Sequence, residues 1–458
     1  MGAADLVVER STHVPQDADT VWAWHERPGA FERLTPPWER VRMLDRGQGL
    51  ANGSRTVLEV RVGPTAQRWV ARHRDVEPGR GFVDEQEEGP FARWVHEHRF
   101  TPDALGGCTV TDRITCRPPL GAVGALFGAP YVRAKLEQML RYRHALLAAD
   151  LAAHARAGGR PRHIAVTGSS GLIGSALVPF LSTGGHRVTR LVRRRPGPGE
   201  AAWDPARGQL DAAALAGVDA VIHLAAPGIA DRRWNAARKR ELLDGRVGPT
   251  ALLASTMAGL REGPATLVSV SGVGIFGSRG DEPLRDDAAP GSGFLAEMAV
   301  QWEAATRPAA DAGLRVALPR FGIVLTPAGG ALGRMLPAFL AGVGGPVGSG
   351  RQWMSWCTID DAVQVLHAAA VRDEVHGAFN AVTPEPVTSA TFARTLGAVL
   401  HRPALLPAPA VALELVFGDL AREALLASTR AVPTRLLEWD HPFRHPRLEE
   451  GLRHVLGR

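Results

Sequence analysis

The chain has 458 residues, of which 45% are hydrophobic and 22% charged, and its net charge is +6. This length allows two or three domains with full cores, and the composition is that of an ordinary soluble protein. Only Lys135 and Lys239 are lysines, so the basic residues are almost all arginines, and they are scattered among 47 acids. Such scatter argues against a basic stripe that follows a phosphate backbone, and we expect no nucleic-acid partner.

The cysteines and the apolar runs exclude several further classes. Cys108, Cys116 and Cys357 are too few and too far apart for a disulfide framework or a cysteine-based zinc site, so we expect no metal site. The first residues lack the basic start and apolar core of a signal peptide. No apolar run approaches the ~20 residues of a membrane helix. We therefore expect a cytoplasmic protein without a membrane span.

Residues 1–155 predict a first domain made of strands and helices. Short segments with alternating polar and apolar residues indicate antiparallel strands that bury one face. Helical spacing predicts a short helix at 17–24 and a long one at 123–155, in which Leu126 contributes to the apolar face. The predicted strands are 6–11, 55–62, 68–73, 93–100 and 109–115.

This order of elements resembles the α+β helix-grip fold of START-like and polyketide-cyclase-like (SRPBCC) proteins. The resemblance implies a curved sheet that grips a helix over an apolar cavity, with a small or hydrophobic ligand as partner. Five tryptophans are candidates for the cavity wall, although each one taken singly is more readily explained as core packing: Trp22, Trp24, Trp38, Trp69 and Trp94. The Gly-, Pro- and Arg-rich segment 156–162 predicts a linker.

The segment 163–174, HIAVTGSSGLIG, combines a short apolar strand, a glycine-spaced turn and the start of a helix. Glycines at this spacing allow a sharp turn and a close approach of the backbone to a pyrophosphate, which the helix N-terminus then binds. Simple turn usage is the alternative. The predicted phosphate-binding residues are Gly168, Ser169, Ser170, Gly171, Leu172, Ile173 and Gly174.

The next predicted strand, 187–192, ends in Arg193, Arg194 and Arg195. An NAD site carries an acidic residue at this place, whereas arginines suit the 2′-phosphate of NADP. We therefore predict NADP(H) as the cofactor, with Arg193 and Arg194 as contacts. The alternative is a solvated basic loop in an arginine-rich chain.

From residue 163 onward, predicted strands and helices alternate as in a doubly wound parallel sheet. Further strands are predicted at 218–226, 266–271 and 315–325, with a helix at 234–253. We predict an α/β Rossmann-type domain at 163–385 and a small helical lobe at 386–458.

Several segments together resemble the atypical extended short-chain dehydrogenase/reductases of the epimerase family, whose C-terminal domain has no known function. They are TGSSGLIG, RRWNAARKRELLDGRV, SVSGVGIFGSRGDE, GSGRQWMSWCTIDD and LLASTRAVPTRLL. The resemblance implies further cofactor contacts beside the glycine turn. These are Leu224, Ala225, Ala226, Phe321 and Ile323, with Glu241 and Arg246 as weaker candidates.

Typical members of that superfamily use a Ser, Tyr and Lys set to move the proton while hydride is transferred. The only tyrosines here, Tyr131 and Tyr142, precede the linker, and Phe294 stands where the tyrosine is expected. We name Ser271 and Glu297 as candidate catalytic residues. Glu303, Asp281, Glu282 and Lys239 are further candidate proton donors, and each is also explained as a surface or capping group.

Two functions from different classes remain open at this point. The first is an NADP(H)-dependent oxidoreductase or epimerase that acts on a small or hydrophobic substrate without the Tyr-Lys pair. The second is a redox sensor or ligand-binding protein that binds NADP(H) without turnover. The sequence names neither the substrate nor the oligomeric state.

Overall fold

The structure is a computed structural model that describes residues 5–62, 65–119, 128–158 and 160–458. The chain divides into two compact units, and the division after Gly158 falls within the predicted linker. Within these described ranges, no helix combines the length and the apolar composition that crossing a membrane requires.

The first unit is built on one antiparallel sheet of seven strands, in the order β1-β7-β6-β5-β4-β3-β2. The strands are β1 (Leu6–Val14), β2 (Val41–Asp45), β3 (Arg55–Val62), β4 (Thr65–Glu77), β5 (Gly81–Glu88), β6 (Arg93–Pro102) and β7 (Cys108–Arg117). Its helices are α1 (Ala18–Glu26), α2 (Ala30–Leu34) and α3 (Ala129–Ala157). An antiparallel sheet with a long closing helix agrees with the predicted helix-grip class.

Two strands of this sheet escaped prediction, β2 and β5. Neither shows regular alternation of apolar and polar residues, because β5 carries acids along most of its length and β2 is largely exposed. The predicted long helix is present from Ala129, and the predicted residues 123–127, including Leu126, lie outside the described part of the chain.

A row of buried residues on α3 faces the sheet, and it is not uniformly apolar. Leu136 and Leu140 belong to one apolar cluster, and Leu147 and Leu151 belong to a second. Between them lies His144, which is also buried. The spacing of three and four residues places all five on one helix face, so a polar side chain separates two apolar clusters.

The helices of this unit are joined by a buried ion pair. The guanidinium of Arg33, on α2, donates two hydrogen bonds of 2.8 Å to the carboxylate of Asp150, on α3. The two side chains are 5% and 0% exposed. Such a pair depends on both partners, because removal of one leaves an uncompensated charge in the core.

We therefore expect Asp150→Ala to lower the free energy of unfolding of this unit by about 3–5 kcal/mol. The matched control is Arg42→Ala, which breaks an exposed Arg42–Glu59 pair of the same unit and is expected to cost less than about 1 kcal/mol. Hydrogen exchange in increasing urea, read on peptides from α3, measures both changes. Equal small effects would contradict a structural role for the buried pair.

The second unit is built on a sheet of nine strands in the order β11-β10-β9-β8-β12-β13-β16-β14, with β20 beside β16. Every pair is parallel except β10 with β11. This is the predicted doubly wound Rossmann-type sheet. The strands are β8 (His163–Thr167), β9 (Arg187–Val192), β10 (Glu200–Asp204), β11 (Gln209–Leu210), β12 (Ala220–His223), β13 (Thr266–Ser269), β14 (Ser271–Gly272), β16 (Arg315–Phe321) and β20 (Gly377–Ala381).

Three two-stranded sheets and ten α-helices, with shorter 3-10 and π-helical turns, complete this unit in the described residues. The short strands are β15 (Pro283–Leu284), β17 (Ile323–Leu325), β18 (Trp353–Met354), β19 (Trp356–Thr358), β21 (Val387–Thr388) and β22 (Arg430–Ala431). The helices are α4 (Gly174–Thr183), α5 (Ala236–Ala258), α6 (Phe294–Ala304), α7 (Arg307–Asp311), α8 (Gly330–Leu340), α9 (Ile359–Val371), α10 (Ser389–Leu400), α11 (Ala410–Phe417), α12 (Thr434–Glu438) and α13 (Leu448–Leu456).

The prediction of one strand at 315–325 is wrong. The chain leaves the main sheet at Gly322, and β17 pairs with β19 instead. A Cβ at Gly322 would lie 2.3 Å from the carbonyl oxygen of Ser355, so the crossing requires glycine. The predicted strand 266–271 is likewise divided into β13 and β14.

Candidate cofactor site

The glycine turn lies at the carboxyl edge of the main sheet, where the ends of its central strands meet. The parallel register pairs Thr167, at the end of β8, with His223 on β12. Gly168 has a φ of 66°, and a Cβ there would lie 2.8 Å from the backbone N of Ala225. A Cβ on Gly174 would lie 2.2 Å from the carbonyl oxygen of Gly168. Both glycines are therefore required for the turn to close against the end of β12.

The hydroxyl of Thr167 ties the two strand ends together. Its oxygen accepts hydrogen bonds from the backbone N–H groups of Leu224 and Ala225, at 3.1 and 3.2 Å, and lies 2.7 Å from Nδ1 of His223. Because the oxygen already accepts two bonds, its own hydrogen is directed to Nδ1. This assigns the proton of the neutral imidazole to Nε2, which donates to Thr250 at 3.1 Å. Burial lowers the pKa of His223 to about 4, in agreement with a neutral ring.

The loop that follows β12 is held through its backbone carbonyls. Four consecutive carbonyl oxygens, at 227–230, each accept a hydrogen bond from a different side chain of α5, α8 or the segment before α5. The pairs are Arg246 to Pro227 at 2.9 Å, Arg238 to Gly228 at 2.5 Å, Trp234 to Ile229 at 2.7 Å, and Arg334 to Ala230. The loop beside the glycine turn therefore has a fixed backbone.

Two of these arginines are buried on one face of α5. Arg246 lies 5.1 Å from the ring of Trp302, and no carboxylate of the described residues pairs with it. Burial, and then the charge of Arg238, lower its pKa to about 10. Glu241 is exposed and pairs with Arg232 and Arg238, which lowers the pKa of its carboxyl. Of the two weaker candidates, Arg246 thus lies beneath the loop and Glu241 lies on the surface.

The two predicted arginines after β9 differ in their partners. Thr167 is in register with Leu191, so Arg193 lies two residues beyond, at the edge that carries the glycine turn. Arg194 donates two hydrogen bonds, of 2.7 and 2.6 Å, to Glu200. Arg193 is exposed and forms no hydrogen bond or ion pair with any residue that the structure describes.

The remaining predicted contacts surround the same edge. Ser170 and Ala226 are exposed, whereas Ser169, Leu172, Ile173 and Leu224 are half-buried. Leu172 faces the turn before α8, because a Cβ on Gly329 would lie 3.1 Å from its side chain. Phe321 is buried at the end of β16, and Ile323 packs on the core cluster that contains Trp356. Trp356 is fully buried, so core packing accounts for it.

The two residues named as catalytic lie in different surroundings. The hydroxyl of Ser271 donates to Glu303 at 2.7 Å, and Arg320 donates two bonds of 2.8 Å to the same carboxylate. Ser271 is therefore part of a largely buried ion-pair network. Glu297 is exposed on α6, and its carboxylate has no hydrogen bond or ion pair within the described ranges.

Lys239 lies beside Phe294, which stands at the position where the tyrosine is expected from the sequence. Its Nζ is 5.3 Å from the centre of the Phe294 ring and 6.0 Å from that of Trp234. Asp419 accepts a hydrogen bond of 2.7 Å from this ammonium, which lowers the pKa of the carboxyl. Glu423 accepts from the backbone N–H of Leu295 at 2.8 Å. Sequence reasoning missed both acids, because their partners lie far away along the chain and no motif marks them.

Segment 428–431, part of the motif LLASTRAVPTRLL, contacts residues of two other motifs, SVSGVGIFGSRGDE and GSGRQWMSWCTIDD. The hydroxyl of Ser428 donates to Gly280 at 2.7 Å, and that of Thr429 donates to Gly277 at 3.1 Å. The guanidinium of Arg430 lies 4.4 Å from the ring of Trp353, whose indole N–H donates to Asp281. The C-terminal lobe is thus bound to the loop that follows β14.

Comparison with known proteins agrees with this geometry. Residues 164–381 match the NAD dependent epimerase/dehydratase family, residues 408–455 match a domain of unknown function (DUF1731), and residues 14–140 match the polyketide cyclase/dehydrase and lipid transport family. An epimerase family protein of Mycobacterium bovis is 43% identical over 64% of this chain and 98% of its own length.

Two solved structures are also similar. A Corynebacterium glutamicum structure described as a nucleoside-diphosphate sugar epimerase has a TM-score of 0.82 at 34% identity, covering 98% of this chain and 90% of that one. Human epimerase family protein SDR39U1, crystallised with NADPH, has a TM-score of 0.60 at 35% identity, covering 64% of this chain and 98% of that one.

The fold and the glycine turn define a Rossmann-type protein of the extended short-chain dehydrogenase/reductase class. The chain belongs to the epimerase family, here with a polyketide-cyclase-like unit before the Rossmann unit. The family recognised from the sequence motifs is confirmed.

The buried imidazole of His223 predicts a stability loss in acid. Because its pKa of about 4 in the fold lies below the ordinary 6.5, its contribution is complete above pH 6.5 and declines by about 3 kcal/mol as the pH falls to 4. We expect His223→Leu to cost about 2 kcal/mol at pH 7.5 and progressively less toward pH 4. Hydrogen exchange of peptides from β8 and β12 measures both. A pH-independent difference between the two proteins would contradict the assignment.

Proposed function

We propose that the second unit binds NADP(H) at the turn 168–174. The N–H of Gly171 donates to the carbonyl of Gly168, and the first helical hydrogen bond of α4 runs from the N–H of Ser175 to the carbonyl of Gly171. The N–H groups of residues 172–174, between these two bonds, are available to a pyrophosphate. Gly171 is exposed, which leaves the backbone open to a ligand. The NADPH bound by the human relative supports this choice of cofactor.

The observation that carries the proposal is the unpaired Arg193 at the edge that carries the glycine turn. Arg193 is the residue we assign to the 2′-phosphate, since a guanidinium binds phosphate oxygens in bidentate geometry. Arg194 forms an ion pair with Glu200, and we assign it a weaker contact with the cofactor than Arg193 makes. The remaining predicted contacts, Leu224, Ala225, Ala226, Phe321 and Ile323, are proposed to border the nucleotide and the nicotinamide.

We expect Arg193→Ala to raise the Kd for NADPH about tenfold, with little change for NADH, because a charge-assisted pair with the 2′-phosphate is lost. Fluorescence titration of both cofactors measures this. Arg194→Ala is the matched control and should change the NADPH to NADH ratio much less. Equal loss for both cofactors in the Arg193 variant would contradict the 2′-phosphate assignment.

The reaction we propose is oxidoreduction, or epimerisation through a transient oxidation, of a small or hydrophobic substrate. When bound, the nicotinamide supplies or accepts the hydride. The protein must then hold or deliver one proton at the substrate oxygen. The hydroxyl of Ser271 is committed to Glu303, and Glu297 is exposed, so each would need a rearrangement to act. The ammonium of Lys239, beside Phe294, is the proton donor we favour.

Measurement of enzymatic turnover tests whether Lys239 is the proton donor, and the second lysine of the chain provides the control. NADPH oxidation is followed with a panel of carbonyl compounds and nucleoside-diphosphate sugars. We expect Lys239→Met to lower kcat at least about 100-fold while the Kd for NADPH is unchanged. Lys135→Met, at the other lysine of the chain, should have no effect. Full activity of the Lys239 variant would return the role to Ser271 or Glu297.

A second candidate function is a redox sensor that binds NADP(H) without turnover. The phenylalanine in place of the phenol and the engaged hydroxyl of Ser271 favour it. Tight NADPH binding together with silence across the whole substrate panel would support this function over the first.

For the first unit we propose binding of a hydrophobic ligand, as the description of the lipid transport family suggests. The two apolar clusters between the sheet and α3 supply suitable surfaces, and they include Trp22, Trp24 and Trp94. Retention of a fluorescent fatty acid by the full chain tests this proposal.

A further inference from the structure

A belt of buried polar side chains crosses the interior of the first unit between its two apolar clusters. On β6 the inward residues are Trp94, His96, His98 and Phe100 in order, so two histidines separate two aromatic residues. We call this group the His–Asp belt. Its members are His73, Asp84, His96, His98, Asp112 and His144.

Three members of the belt have the geometry of a metal site. Asp84, His96 and His98 each offer one ligand atom, and these atoms lie within 4.8 Å of one another. The sheet explains the arrangement, because Asp84 on β5 is directly opposite His96 on β6. His98 is two residues further along the same strand and points to the same face.

Further polar side chains contact His98 and Asp84 of this triad and orient them. Nδ1 of His98 lies 2.6 Å from the carboxylate of Asp112, which directs its Nε2 toward Asp84, 3.4 Å away. His73 lies 2.5 Å from the other carboxylate oxygen of Asp84. A carboxylate behind a histidine ligand and a polar partner behind a carboxylate ligand are the usual outer partners of a metal site.

Three imidazole nitrogens of the triad are inaccessible to solvent and make no hydrogen bond of good geometry within the described structure. They are Nε2 of His96, which lies 3.5 Å from the carboxylate of Asp112, and both nitrogens of His98, of which Nδ1 lies 2.6 Å from Asp112 and Nε2 lies 3.4 Å from Asp84. The side chains are 5% and 1% exposed. Buried polar atoms are usually satisfied, so buried imidazole nitrogens that face carboxylates without good hydrogen-bond geometry indicate an additional partner among these groups.

The charges nearby suit a cation. Asp84 and Asp112 bring two carboxylates, whereas Arg143 is the cation that acts on His96 and opposes a further positive charge. The carboxylates outnumber this guanidinium. Two imidazoles and a carboxylate are the donor set of first-row transition metals.

We propose that Asp84, His96 and His98 bind one divalent first-row transition metal ion per chain, with Zn²⁺ as the ion to test. Asp112 and His73 position the ligands. Bonds of ~2.0–2.2 Å require the ligand atoms to approach one another more closely than 4.8 Å, which rotation of the Asp84 side chain allows, since it is partly exposed. Three protein ligands leave a coordination position for water or for a ligand of this unit.

The experiment treats the full chain with a chelator, removes the chelator and titrates Zn²⁺ into the protein in a calorimeter. The visible absorption of Co²⁺ added in place of Zn²⁺ gives a second readout, because it reports the coordination geometry. We expect one ion per chain. Asp84→Asn and His98→Ala should each weaken binding at least about 100-fold, and Asp112→Asn about tenfold. Asp84→Asn preserves side-chain shape, and circular dichroism with and without metal reports whether each variant is folded.

The matched control is His13→Ala. His13 forms an exposed pair with Asp103, at 2.6 Å, in the same unit, so it reports adventitious binding to a surface histidine. Unchanged binding in this variant supports the site. No stoichiometric binding, or equal loss in the His13 and His98 variants, would overturn the proposal and leave the belt as a network in which protons bridge the histidines and carboxylates.

Discussion

The close approach of β8 and β12 is the constraint on which the cofactor edge depends. Gly168 and Gly174 leave no space for a Cβ, and the hydroxyl of Thr167 accepts both N–H groups that follow β12. His223 then links this junction to Thr250 on α5. Because Thr167, His223 and Thr250 are buried and hydrogen-bonded in one chain, the turn is fixed before a cofactor binds, and little ordering entropy remains to be lost on binding.

The strand junction of the second unit and the His–Asp belt of the first differ in how their buried polar groups are hydrogen-bonded. In the second unit the hydroxyl–imidazole chain ends in well-formed hydrogen bonds, and the carbonyls at 227–230 are each bonded. In the first unit His96 and His98 carry nitrogens without such bonds. A buried polar network in which every donor and acceptor is hydrogen-bonded is rigid. A network with unbonded atoms in apolar surroundings needs a further partner, such as an ion or a proton, to stabilise it. This contrast is why the first unit, and not the cofactor edge, carries the metal proposal.

The sequence predicted what is encoded locally. The turn at 168–174 and the doubly wound fold class follow from glycine spacing and from regular alternation of strands and helices, which need no distant partner. The break at Gly322, the pair of Lys239 with Asp419 and the His–Asp belt depend on residues that are distant along the chain. In the sequence, the residues of the belt look like the inward positions of ordinary alternating strands, and their proximity is seen only when β5 and β6 lie side by side. The acidic residues of β5 are also the reason that this strand was not predicted.

The surroundings of Phe294, at the position where the tyrosine is expected, bear on the proposed proton donor. Phe294 offers no proton, but it begins α6 where the lobe residues Asp419 and Glu423 approach, and the ammonium of Lys239 is held there by Asp419. In the function we propose, a cation beside the nicotinamide would stabilise negative charge on a substrate oxygen as well as donate a proton. The C-terminal lobe, whose acid orients this lysine, would thus take part in the chemistry and not only cover the substrate.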